Sequence, residues 1–166
     1  MGILVTALVA GIVMYYLQVF AFYEDVDVPE VQLTSLVTGA PEPVVFENYQ
    51  GIDSDSSPIR YRSCFDLLGS QAMLSETYAI HPAPVPLNAP GWFGCFDAGA
   101  LGAQLESGEA IAFMGVENIR YGIDRVVAVL PHGAAYSWNQ INACGEVVFD
   151  GDPVPEDCPE PPDALR

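Results

Sequence analysis

The first 23 residues carry no charged side chain, and the pattern that follows them is of another kind. Residues 2–23, "GILVTALVAGIVMYYLQVFAFY", hold one strongly polar side chain, Gln18. About 20 apolar residues, rising about 1.5 Å each, span a hydrocarbon core of roughly 30 Å. A secretory leader has a shorter apolar core behind a basic start. Here the run is longer and no Lys or Arg precedes it. The pattern predicts an uncleaved transmembrane signal-anchor helix over 1–23. Tyr15, Tyr16, Phe20, Phe22 and Tyr23 crowd its C-terminal half, as in an interfacial aromatic belt. Thr6 with Ala10, and Ala7 with Gly11, give the small-residue spacing that lets a second helix approach closely.

Beyond the span, residues 24–43 read as an acidic juxtamembrane connector, 44–149 as a folded domain and 150–166 as an acidic Pro-rich tail. "IRYRSCFDLL" starts as a strand and turns helical near Ser63. "DAGALGAQLES" predicts a short helix, with Asp97 as N-cap and Gly108 as its stop. "AIAFMGV", "IDRVVAVL" and "AAYSWNQI" read as strands, and "LPHGA" between the last two marks a β-hairpin. In that hairpin Val126, Ala128 and Leu130 face one side and Arg125, Val127 and Val129 the other, with one face expected to be buried. "GEVVFDG" is expected to add a strand. "HPAPVPLNAPGWFG" contains four prolines, so it holds no regular helix. Its Trp92 and Phe93 either dock a partner or wrap the domain's own core. The fold class expected is α+β: one N-terminal transmembrane helix, then a small antiparallel-sheet domain with one or two helices, stapled by disulfides.

Composition narrows the partners. The chain has no lysine, five arginines and 22 acids, a formal charge of −17. Nucleic acid and anionic headgroups would be repelled. Cationic proteins or metal ions would be attracted, unless the acidity serves solubility alone. Arginines are so scarce that each is expected to have a carboxylate partner. "RYR" puts Arg60 and Arg62 on one side of a strand, where they would grip an anionic ligand or a partner's carboxylate, or else join an internal ion-pair network.

Four cysteines, Cys64, Cys95, Cys144 and Cys158, permit three disulfide pairings. Cys64–Cys95 with Cys144–Cys158 is preferred, because the second fastens the tail. Each loop is worth about 3 kcal/mol in the chain-entropy model. No C-x-x-C pair occurs, and His81 and His132 sit in loop contexts, so no metal site and no cofactor are expected. "GIDSDSSP" opens like a calcium loop, but Pro58 stands where Gly is required and Cys64 where the bidentate Glu should be. No nucleophile elbow, zinc-protease, P-loop or dinucleotide motif is present, and no catalytic residue is assigned.

"SSPIRYRSCF", "PGWFGCFDA", "YGIDRVVAV" and "INACGEVVFDG" resemble the corresponding stretches of a family of small single-span alphaproteobacterial proteins of uncharacterised function. The likeness covers most of the chain. It implies a Gram-negative inner-membrane setting and supplies no activity. Some relatives carry the label histidine kinase, yet this chain has no nucleotide-binding motif and neither histidine lies on a dimerising helix. The N-terminus is expected in the cytoplasm and the body in the periplasm. The functional expectation is a non-catalytic accessory subunit of an inner-membrane assembly. Its helix would pack in the host complex and the bilayer, and its acidic domain would face a cationic carrier such as cytochrome c in a respiratory or photosynthetic complex. The alternative is a transient envelope assembly factor or a metal- or ligand-binding factor.

Overall fold

A computed structural model describes residues 2–27 and 30–163. The chain runs α1 (Gly2–Val19), β1 (Glu24–Asp25), β2 (Val31–Thr34), β3 (Pro41–Val44), β4 (Phe46–Asp53), β5 (Arg62–Leu67), α2 (Gln71–Thr77), α3 (Ala98–Ser107), β6 (Ile111–Arg120), β7 (Ile123–Val129), β8 (Ala134–Ile141) and α4 (Ala143–Phe149). Six strands form one sheet in the order β1-β4-β5-β8-β7-β6, and β2 and β3 pair separately. Every pairing is antiparallel. The architecture is α+β, with an apolar helix at its N-terminus and two disulfides.

The β7–β8 hairpin lies inside the sheet between β5 and β6, and both of its faces are buried rather than one. Val127 and Val129 join Val31, Leu33, Phe65, Leu74 and Phe113 in one cluster. Val126, Ala128 and Leu130 join Phe96, Leu101 and Trp138 in the other. A strand buried on both sides loses the apolar/polar alternation that marks a half-buried one. The second cover is the part of the chain expected to be a connector. Val31 and Leu33 of β2 point inward while Gln32 and Thr34 stay partly exposed. Four residues are too few for that period to stand out, and the prolines of β3 are tolerated because it lies at an edge. The folded body therefore begins well before residue 44.

Two local expectations are corrected. β5 continues as strand through Leu67, because Phe65 and Leu67 enter one core cluster and Cys64 the other. The helix starts later, where the Ser70 side chain accepts a hydrogen bond from the Met73 N–H. "GEVVFDG" forms the end of a helix, α4, and the turn after it, not a strand. Asn142 caps it by accepting from the Gly145 N–H, and Glu146 in the first turn favours the positive helix end. α3 matches expectation at both ends: Asp97 accepts from the Ala100 N–H, and Gly108 closes the helix at φ 76°. Cys64–Cys95 and Cys144–Cys158 are the observed pairs, enclosing separations of 31 and 14 residues. The second holds the tail, which is further tied where the Tyr121 hydroxyl donates to the Pro159 carbonyl.

α4 lies against the β6–β7 turn at a close backbone crossing. A methyl on Gly145 would overlap the Gly122 carbonyl, and Gly122 itself sits at φ 73°. Gly145→Ala is expected to destabilise the protein by about 2 kcal/mol, a fall in melting temperature of roughly 5 °C by calorimetry.

Candidate functional site

A cleft of about 600 Å³ opens at the end of the sheet where β7 begins and β8 ends. Its walls are apolar, including Ile59, Val85, Leu87, Met114 and Ile141. Its floor holds His81, Asp124, Gln140 and Asn142, and Glu117 and Glu146 add negative charge. His81 arrives there because the segment after α2 runs along β6. Ile80 bridges Phe113, and the His81 N–H donates to the Ala112 carbonyl at 2.9 Å.

The floor is a network of buried polar groups. Asp124 is 4% exposed. Its Oδ1 accepts from the Asn118 N–H and the Asn142 amide, both at 2.8 Å. Asn118 takes a left-handed conformation at φ 47°, within the irregular β6–β7 pairing. Its Oδ1 accepts from the Gly122 N–H at 3.0 Å and from the Asn142 amide at 3.1 Å. Gln140 accepts from the Val85 N–H and the Trp138 indole and donates to the Ala83 carbonyl. Burial alone would push the Asp124 carboxyl up. The neighbouring His81, the Asn118 N–H and the Asn142 amide outweigh that and hold it below its ordinary value.

His81 Nδ1 accepts from the Ala83 N–H at 3.3 Å. In the neutral imidazole the proton therefore sits on Nε2, which faces Asp124 Oδ2 at 3.9 Å. Neutral His81 thus has no free lone pair with which to act as a general base. Among the lining residues there is no Ser, Thr or Tyr, and Cys144 is held in a disulfide. Asp124 is one acid among 22, and no spacing in the sequence singles it out.

The residues expected to bind partners are engaged within the chain. Arg62 is 4% exposed. Its guanidinium donates to the carbonyls of Leu87 (2.7 Å), Ile59 (2.8 Å), Tyr61 (2.6 Å) and Asn88 (3.2 Å). Burial pushes its pKa down to about 10, which leaves it charged at neutral pH. Arg60 precedes the strand and sits over the Tyr23 ring at 5.4 Å. Arg125 lies 3.6 Å over the Tyr61 ring and donates to Asn139. Carbonyls, an amide and ring faces thus take the place of the expected carboxylates at Arg60, Arg62 and Arg125.

Phe93 packs on the core beside α3. Trp92 is occupied by the end of α1. Its indole donates to the Val19 carbonyl at 2.8 Å, stacks on Phe20 at 5.9 Å and meets Tyr23 edge-on at 5.8 Å. Tyr15 and Tyr16 also contact Phe20, while Phe22 remains exposed. Thr6 returns its hydroxyl to the carbonyls of Gly2 and Ile3, and Ala7, Ala10 and Gly11 lie on the exposed helix.

Two outcomes follow for variants. Arg62→Lys replaces a rigid fork by a point charge, and at least one buried carbonyl loses its donor. The expected loss is about 2 kcal/mol, measured as a lower urea midpoint at unchanged slope. Asp124 has its folded pKa depressed below an unfolded value of roughly 3.9. It therefore contributes stability that is present above that value and is lost as pH falls through the folded pKa. Asp124→Asn is expected to be less stable than the parent at pH 7, with the difference shrinking below about pH 4 in acid titrations.

A model for DUF6446, a family of unknown function, matches residues 31–159. No curated protein and no solved structure matches the chain. The match begins at the first residue of β2 and takes in the cleft and all four cysteines, so the chain belongs to the DUF6446 family.

Proposed function

We propose that the protein is a non-catalytic, membrane-anchored accessory subunit whose disulfide-stapled domain lies on the periplasmic side of an alphaproteobacterial inner membrane. The observation that carries this reading is α1. It is 18 residues long with a mean hydropathy of 2.0 and none of it is buried within the protein. Its last turn and the residues just beyond meet the body through Trp92 and Arg60. The rest of its apolar surface needs lipid or another helix around it. Two disulfides suit an oxidising compartment. Thr6, Ala7, Ala10 and Gly11 offer the helix-packing seam. The charge of −17 favours a cationic carrier such as cytochrome c, in which case an electron-transfer complex is the host.

A second reading, a ligand-binding domain in the envelope, is favoured by the cleft and its buried His81–Asp124 pair.

In spheroplasts, externally added protease should digest a C-terminal tag, and thiol reagents should label the protein only after reduction. A protected tag, or freely reactive thiols, overturns the periplasmic assignment. Isolation in mild detergent should retain a membrane partner. Gly11→Leu should weaken that recovery roughly tenfold, the equivalent of about 1.4 kcal/mol, without releasing the protein from the membrane. Recovery of the parent protein always alone counts against the accessory role.

A further inference from the structure

Two polar atoms on the cleft floor face each other without a hydrogen bond. His81 and Asp124 are 7% and 4% exposed, and both line the cleft. Every other polar atom of the two side chains is engaged: Nδ1 by the Ala83 N–H, Oδ1 by Asn118 and Asn142. His81 Nε2 and Asp124 Oδ2 stand 3.9 Å apart, beyond direct hydrogen-bond length. That separation admits one oxygen at about 2.8 Å from each.

We propose that the cleft binds a neutral, apolar-bodied molecule through a hydroxyl head, which accepts from His81 Nε2–H and donates to Asp124 Oδ2. This rests on the ligand-binding reading and names its ligand class. The pair offers one donor and one acceptor, and a hydroxyl matches both. A carboxylate or phosphate head offers only acceptors to Asp124 and meets Glu117 and Glu146 as well. An ammonium head offers only donors, and meets the Nε2 proton donor to donor. A hydroxyl supplies one of each. The apolar walls, Ile59, Val85, Leu87, Met114 and Ile141, suit a hydrocarbon body, and about 600 Å³ lies within the ordinary range for small-molecule sites.

The test uses the full chain in lipid nanodiscs, labelled with ¹³C at the methionine methyls. Met114 lines the cleft, while Met14 and Met73 lie outside it and report general partitioning. Cyclohexanol should shift the Met114 signal saturably. Cyclohexylamine and cyclohexanecarboxylate should need at least about tenfold higher concentration. Val85→Trp, which fills the opening, should abolish the response. Asp124→Asn keeps its acceptor toward the Asn118 N–H and turns a donor toward His81, so it should weaken cyclohexanol about tenfold and admit the carboxylate. Equal titrations by all three heads overturn the hydroxyl assignment and leave a ligand-binding domain standing. No Met114 response to any of them removes both.

Discussion

One buried cation organises the cleft end of this protein. The Arg62 guanidinium sits in the sheet and holds four backbone carbonyls, two of them in the Pro-rich segment between His81 and Cys95. That segment forms neither helix nor strand, so its backbone acceptors need partners from elsewhere. Arginine suits the task because its donors radiate in a fixed plane and it keeps its charge when desolvated. The clamped segment supplies one wall of the cleft, through Val85 and Leu87, and the indole that meets α1. A single side chain thus places both the candidate site and the junction with the N-terminal helix, and the Cys64–Cys95 bond repeats the attachment farther along the same segment.

Around that clamp the fold solves a covering problem. A central hairpin that is apolar on both faces must be covered twice. α3 and the Pro-rich segment cover one face; α2 and the β2–β3 hairpin cover the other. The second cover comes from the part of the chain nearest α1, so the N-terminal region belongs to the core and is no simple tether.

The elements with strong local signals were legible in the sequence. α3 has an Asp cap and a Gly stop, the β7–β8 hairpin has "LPHGA", and both disulfides join the pairs preferred from the sequence, the second fastening the tail. What escaped depends on tertiary context. Val31 and Leu33 alternate over too few residues to announce a strand, and α4 needs Asn142 as its cap and Gly122 as its seat. The candidate site was the least legible part. His81 was visible as a rare residue, but Asp124, Asn118, Gln140 and Asn142 become a site only when an irregular β6–β7 turn and two strand ends bring them together. Arg62 stands out by scarcity and Trp92 by its Pro-rich stretch, and the sequence leaves each open between a partner and its own chain. Both turn inward, because a lone guanidinium beside unpaired carbonyls, and a lone indole beside a helix end, find partners within their own chain.

The indole of Trp92 reaches a particular carbonyl on the circumference of α1, that of Val19. Spinning the helix about its long axis would carry that oxygen away and unstack Phe20. The compass bearing of α1 relative to the body is thereby set, and the stripe of small side chains a few turns earlier inherits it. Whatever settles against that stripe would approach the body from a defined quarter.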